Sequence, residues 1–382
     1  MKPLENNFYP YPVMTEAQVD LPSYDTDLKY CRHASAEFNA RIDGALHRLA
    51  EDAHTAMEEN LVALILGGGY GRGEGGVICV EGYEQAYNDL DLVLVVQDKN
   101  AIQQDQLAAI SKKYEAELKI HIDFSRPLTI EDIRNWPSWL MWQDLLDGHV
   151  VLYGQEDVLT ANSPASLRDP LPAIEATRLL LNRGAGLLWA MRVTRGVESA
   201  PDADFVRRNY FKCGLALGDA LLIAHQRHAT AYRGRDERLT ALVGESSEVA
   251  ALNIQLLYEI SLLFKFTPDQ SPDVPLTQQS LQILGRLWGA TFLHVENKRT
   301  GRGFRSLEEY SRWLGLREPE QHTVDALARN VIRNIQLGTL SWLYPREWLY
   351  RRLPVLLGLT HKEVGDWAAE SGRFLVVWKR FN

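Results

Sequence analysis

Residues 61–96 read LVALIL, GGGYGRGEGG, VICVEGYEQAY and NDLDLVLVV. Leu61 to Leu66 is a short apolar run closed by glycine, the pattern of a buried strand. Gly67 to Gly76 is a glycine-dense turn carrying one arginine, Arg72, and one glutamate, Glu74. Asn88 to Val96 is a second strand that opens on Asp89 and Asp91. Side chains alternate along a strand, so these two acids point the same way, their Cα atoms about 6–7 Å apart. Val93 and Val95 continue that face, and Leu90, Leu92 and Leu94 line the other. The strand is therefore expected to be buried on both sides except at its acidic end. Two carboxylates fixed side by side repel each other, so one must take up a proton or both must share a cation. A divalent cation facing a phosphate-binding glycine loop is the economical reading.

The run Gly68-Gly69-Tyr70-Gly71-Arg72-Gly73-Glu74, followed by Asp89-Leu90-Asp91-Leu92, resembles the signature of the DNA polymerase β-type nucleotidyltransferase superfamily. The wording GGYGRGE is closest to the nucleotidyltransferase domain of the PII uridylyltransferases. The resemblance covers residues 60–155. It implies a third catalytic carboxylate on a later strand, and Asp123, within Leu118–Phe124, stands where one is expected. It also implies that Asp89, Asp91 and Asp123 hold Mg²⁺, that the backbone at Gly68 and Gly69 cradles a nucleoside triphosphate, and that a helical domain brings a basic residue to that triphosphate. The spacer from Glu74 to Asp89 is longer than in the uridylyltransferase pattern, so residues 77–87 read as an insertion. No His-Asp dipeptide is present, so the phosphohydrolase domain that accompanies full-length PII uridylyltransferases is not expected, nor are their appended regulatory domains.

Gly71 to Gly76 also fits the dinucleotide fingerprint GxGxxG. In that fold the last glycines open a helix and the acid closes the second strand. Here residues 77–88 lack a helical face, and Asp89 and Asp91 open their strand. Taken alone, the two acids read as solvated strand-end residues, and Asp123 as a turn acid. Arg72 and Glu74 either pin the turn by pairing with each other or leave Arg72 to contact the triphosphate.

The rest of the chain sets the frame. Its 382 residues carry a net charge of −9, with 46% hydrophobic and 24% charged residues. That is the composition of a globular protein of two or three domains, with little affinity for DNA or a membrane surface. The three cysteines, Cys31, Cys79 and Cys213, have no metal spacing and read as reduced thiols. With no apolar leader or membrane-length run, a cytoplasmic protein is expected. Residues 1–33 hold several prolines and read as an arm. Residues 34–165 read as an α+β nucleotidyltransferase core, a small mixed sheet with an amphipathic helix before it (Ala34–Asn60), another at Ile102–Leu118, a third strand at Lys119–Phe124 and an edge strand at His149–Gly154. Thr129 with Asp132 forms a capping box. Residues 166–382 read as an all-α domain with helices at Ile174–Arg192, Phe205–His228, Ser247–Phe266, Thr277–Glu296, Thr323–Trp342 and Arg346–Leu357. Gly358 then stops a helix, and a capping box at Thr360–Glu363 starts another.

Between Arg178 and Arg238 lie eleven Lys or Arg and six Asp or Glu, an excess of five cations in an acidic chain. A bound triphosphate needs cations opposite its metal side. Lys212 is the expected triphosphate ligand, Asp219 a lesser candidate to orient the acceptor, and Arg183, Tyr232, Arg235 and Arg238 lie in the same segment. Lys298 to Arg305 reads as an exposed basic loop. The function expected is a Mg²⁺-dependent nucleotidyltransferase using two ions, with ATP the preferred triphosphate. It would move a nucleoside monophosphate to a hydroxyl or phosphate on a protein side chain or small molecule and release pyrophosphate. The alternative keeps the fold as a non-catalytic, antitoxin-like nucleotide-binding module.

Overall fold

Ser35 accepts the Phe38 amide and so starts α1 (Ala36–Met57), whose positions Phe38, Ile42, Leu46, Leu49, Ala53 and Met57 are all buried. The structure is a computed structural model that describes residues 21–381. Residues 1–20 of the expected arm lie outside the described residues. The end of the arm packs onto the glycine turn: Tyr30 and Cys31 are fully buried, Arg32 N–H donates to the Gly73 carbonyl at 2.9 Å, and Gly75 N–H donates to that of Tyr30 at 3.1 Å.

The chain then runs through β1 (Leu61–Leu66), α2 (Gly68–Gly71), β2 (Gly76–Val80), β3 (Tyr83–Tyr87), β4 (Asp89–Val96), α3 (Gln104–Leu118), β5 (His121–Phe124), α4 (Ile130–Arg134), α5 (Leu140–Asp147), β6 (Val150–Tyr153) and α6 (Val158–Asn162). The main sheet has the order β5-β4-β1-β6. β1 is antiparallel to both β4 and β6, while β4 and β5 are parallel. This is the small mixed sheet that the sequence leads one to expect. The antiparallel β1–β4 pair removes the dinucleotide reading, which requires parallel strands flanking the glycine turn.

Both faces of the sheet are covered. Leu64, Leu66, Leu90, Leu92 and Leu94 pack with α1 and α3 in one core. Ala63, Ile65, Val93 and Val95 pack with Ile133, Leu145 and Leu146 of α4 and α5 in another. Such alternation leaves Asp89 and Asp91 on the second face, at the open end of β4.

Most of the expected insertion is a hairpin, β2–β3, in full register from Gly76 opposite Tyr87 to Val80 opposite Tyr83. Its turn residues, Glu81 and Gly82, both have positive φ, 51° and 83°. That is the two-residue turn whose twist matches the strands it joins.

Beyond residue 170 every regular segment is helical: α7 (Ile174–Thr194), α8 (Phe205–Ala224), α9 (Arg235–Glu245), α10 (Ser247–Ala250), α11 (Gln255–Phe266), α12 (Gln278–Thr300), α13 (Leu307–Arg312), α14 (Val324–Ile335), α15 (Pro345–Leu356) and α16 (Trp367–Phe381). One large core joins all of them but α14, with Trp288 donating its indole N–H to the Leu180 carbonyl at 2.8 Å. Among the described residues no helix is long and apolar enough to cross a membrane.

Three helix expectations need correction. The helix expected over Ser247–Phe266 breaks at Asn253, which takes φ 51° between α10 and α11. The one expected over Thr323–Trp342 ends at Ile335, and Gly338 turns the chain at φ 71°. Thr360 caps nothing: its hydroxyl has no partner, and α16 instead begins after Asp366, whose carboxylate accepts the Ala369 amide at 2.9 Å. The basic loop after α12 is tied down, because Asn297 brackets Phe304 through both its amide and carbonyl.

Candidate active site

The acids occupy the end of β4 beside the glycine turn. Gly67 N–H donates to the Asp91 carbonyl at 2.8 Å. Gly68 has φ +59°, and a Cβ there would lie 1.8 Å from Asp91 Oδ2. Glycine is thus required twice over at residue 68, by conformation and by the carboxylate that fills the space. Asp123 sits directly opposite Asp91 in the parallel β4–β5 register, about 4.8 Å away along the hydrogen-bonding direction. Asp123 is exposed, however, and lies outside the cavity that Asp89 and Asp91 line.

That cavity, about 370 Å³, separates the sheet from the helices. On the sheet side are Gly68, Gly69, Arg72, Asn88, Asp89 and Asp91. The helical side supplies Arg183 from α7, Arg208 and Lys212 from α8, and Lys265 from α11. Lys212 Nζ reaches across to Asn88 Oδ1 at 3.2 Å, and Asn88 in turn donates to the Asp89 carboxylate. Lys265 Nζ donates to the Glu74 carbonyl at 3.2 Å and lies where a Cβ on Gly69 would approach it to 2.9 Å. Tyr87, Phe211 and Phe264 form an aromatic floor, with the two phenylalanine rings stacked at 4.3 Å.

Electrostatics follow from this crowding. Burial, then the neighbouring charges of Asp89 and Asp123, push Asp91 up to about 6, with Arg72 and Lys265 pulling the other way. Burial and the Arg183 charge bring Lys212 down to about 8. Lys265 falls to about 8 through burial and the charge of Arg72. Asp91, which resists ionising, thus faces two lysines that resist protonation across the cavity.

Other charged residues of the segment build the wall. Arg72 pairs with Glu74 at 3.6 Å and faces the Tyr232 ring at 5.4 Å. Glu74, fully buried, does more than pin its own turn: its two oxygens accept the backbone amides of Tyr232 and Arg233, each at 3.0 Å. Asp219 is committed to Arg235 at 3.0 Å and to the Tyr258 hydroxyl at 2.7 Å. Arg235 also donates to the carbonyls of Ala229, Thr230 and Ala231. Asp219 and Arg235 therefore shape the loop before α9, and Asp219 also lines the cavity from the helical side.

Sequence reasoning missed Lys265, Arg208 and the aromatic floor. A signal for Lys265 exists: it is the one charged residue in Leu262–Phe266, an otherwise unbroken apolar run.

Carboxylate oxygens suit Mg²⁺ chemically. Among the described residues, no three His, Cys, Asp or Glu side chains are grouped as a metal cage. Mg²⁺ is commonly held by one or two carboxylates and completed by water and substrate phosphates. Asp89 and Asp91 beside an open, cation-walled cavity fit that kind of site, one completed by the ligand.

No protein-family model matches the chain, and no curated protein matches it. Among solved structures, a nucleotidyltransferase-like protein from Exiguobacterium sibiricum aligns over 78% of this chain and 92% of its own, at 14% identity and a TM-score of 0.23.

Proposed function

We propose that the protein is a nucleotidyltransferase that moves a nucleoside monophosphate from a triphosphate, ATP in the first instance, to a hydroxyl or phosphate acceptor. The observation that carries this reading is the cavity with Asp89, Asp91 and the Gly68–Gly69 backbone on one wall and Arg183, Lys212 and Lys265 on the other. The GGYGRGE wording favours a relative of the PII uridylyltransferases within the superfamily, and a protein side chain or small molecule as acceptor.

Asp89 and Asp91 would hold Mg²⁺, with Asp123 beside them, and the metal would draw charge from the α-phosphate and the departing pyrophosphate. The chain's own part is placement. Backbone N–H groups at Gly68 and Gly69 face the phosphates. Lys212, Lys265 and Arg183 neutralise the oxygens turned away from the acids. Asp123, opposite Asp91 on the neighbouring strand, would help take the proton of an acceptor hydroxyl. The hydroxyl oxygen attacks the α-phosphorus in line, the bond to the bridging oxygen breaks, and pyrophosphate leaves. Positioning and charge stabilisation carry the rate.

Incubation with each α-labelled triphosphate and Mg²⁺, alone and with a metabolite extract, tests the reading. Pyrophosphate release with label retained on protein or metabolite is expected. Failure of every triphosphate to bind would overturn it.

A further inference from the structure

A second cavity, about 690 Å³, lies among α13, α15, the 358–366 connection and α16. It shares no residue with the candidate active site. Arg312, Arg351, Arg352, Lys362 and Arg373 line it against two acids, Glu308 and Glu370. Glu308 pairs with Arg312 and Glu370 with Arg352. Neither acid pairs with Arg351, Lys362 or Arg373. Three more donors at this cavity, Arg351 Nε, Ser311 Oγ and Thr360 Oγ1, are buried with no hydrogen-bond partner. Burial and the charge of Arg317 both disfavour the Arg351 guanidinium further, against a smaller opposing pull from Glu347. Unmatched buried donors are costly to a folded chain unless a ligand answers them.

A smaller cavity of about 190 Å³ adjoins the first and shares Trp348, Arg351 and Arg373 with it. Its walls include Leu337, Leu343, Tyr344, Pro345 and Val377. Arg373 lies over the Trp348 ring at 5.7 Å. A charged chamber thus borders a largely apolar one at a shared tryptophan, and the larger lies in the volume range of small-molecule sites, about 300–1,000 Å³.

We propose that this double cavity binds a small phosphorylated molecule, its phosphate among Arg351, Lys362 and Arg373 and its ring or apolar body against Trp348. Three cations lining one cavity suit the multiple charge of a phosphate better than a single carboxylate, and guanidinium forks match its oxygens. Calorimetric titration with AMP and with pyrophosphate tests the assignment. Lys362 and Arg373 are exposed, so the Lys362→Gln/Arg373→Gln variant keeps its fold. It should lose one AMP site relative to the parent while its affinity for a non-hydrolysable triphosphate with Mg²⁺ is unchanged. Trp348→Ala should weaken AMP at that site at least tenfold and pyrophosphate less. Identical AMP isotherms for parent and double variant would overturn the proposal, as would the absence of binding by either probe at millimolar concentration.

Discussion

Asp91 is the residue on which the site's electrostatics turn. Its carboxyl sits at about 6 against an ordinary 3.8, through burial and the charges of Asp89 and Asp123. Below pH 4 both folded and unfolded chains keep the proton, and this group contributes nothing. Between pH 4 and 6 the unfolded chain releases it while the folded chain holds it, so stability falls as pH rises, and above 6 the loss is complete. The loss amounts to at most about 3 kcal/mol for a shift of this size. Asp91→Asn removes the penalty. The metal-free variant should therefore melt above the parent at pH 7.5, and the two should converge near pH 4. Stabilisation by Mg²⁺ with a triphosphate should shrink in the variant. A metal-free variant that melts below the parent at pH 7.5 would show the carboxylate to be a structural partner instead.

At the scale of elements, the glycine turn and the loop before α9 are one unit, joined by Glu74. Its buried carboxylate accepts two amides from that loop and faces Arg72. Glu74→Gln keeps the shape but replaces one acceptor oxygen with a donor and removes the charge, which should cost about 3 kcal/mol by the precedent of broken buried pairs. Urea unfolding should show that loss, and hydrogen exchange at the Tyr232 and Arg233 amides should accelerate. Unchanged exchange at both amides would mean that the loop is held by Arg235 alone. This joint was not legible in the sequence, because 158 residues separate Glu74 from Tyr232 and only the fold brings them together. The local patterns were legible. Strict alternation from Asp89 to Val96 gave both faces of β4, and spacing by three and four gave α1 and α3. The β2–β3 hairpin was missed because its Glu81-Gly82 turn lacks the usual Asn-Gly or Asp-Gly wording. The start of α16 was misplaced because Thr360 and Asp366 are both competent caps, and packing of the residues after each decides between them.

At the scale of the whole molecule, the two halves divide the charge. The sheet brings Asp89, Asp91 and one cation, Arg72, to the cavity, and the helices bring Arg183, Arg208, Lys212 and Lys265. The cation excess after Arg178 was visible in the sequence; which of its members turn inward was not, since Arg235 is consumed by Asp219 and Lys265 lies beyond the segment. A triphosphate whose far side met an acidic wall would lose several kcal/mol in a poorly screened cleft, so cations must come from the helices. Lys212→Ala should weaken a non-hydrolysable triphosphate about 10–100-fold, the range of one charge-assisted contact, and move the unfolding midpoint little, because a cleft lysine buries little apolar surface. Lys265→Ala should do the same to binding and also destabilise the glycine turn, since its ammonium holds the Glu74 carbonyl. Both lysines sit near 8, so they are charged at pH 7 and lose the proton just above it. Triphosphate affinity of the parent should fall as pH rises from 7 to 9, and the fall should be shallower in Lys212→Ala. Equal affinity of Lys212→Ala and parent at pH 7, with the same pH slope, would place the triphosphate elsewhere and detach the helical half from the chemistry of the sheet.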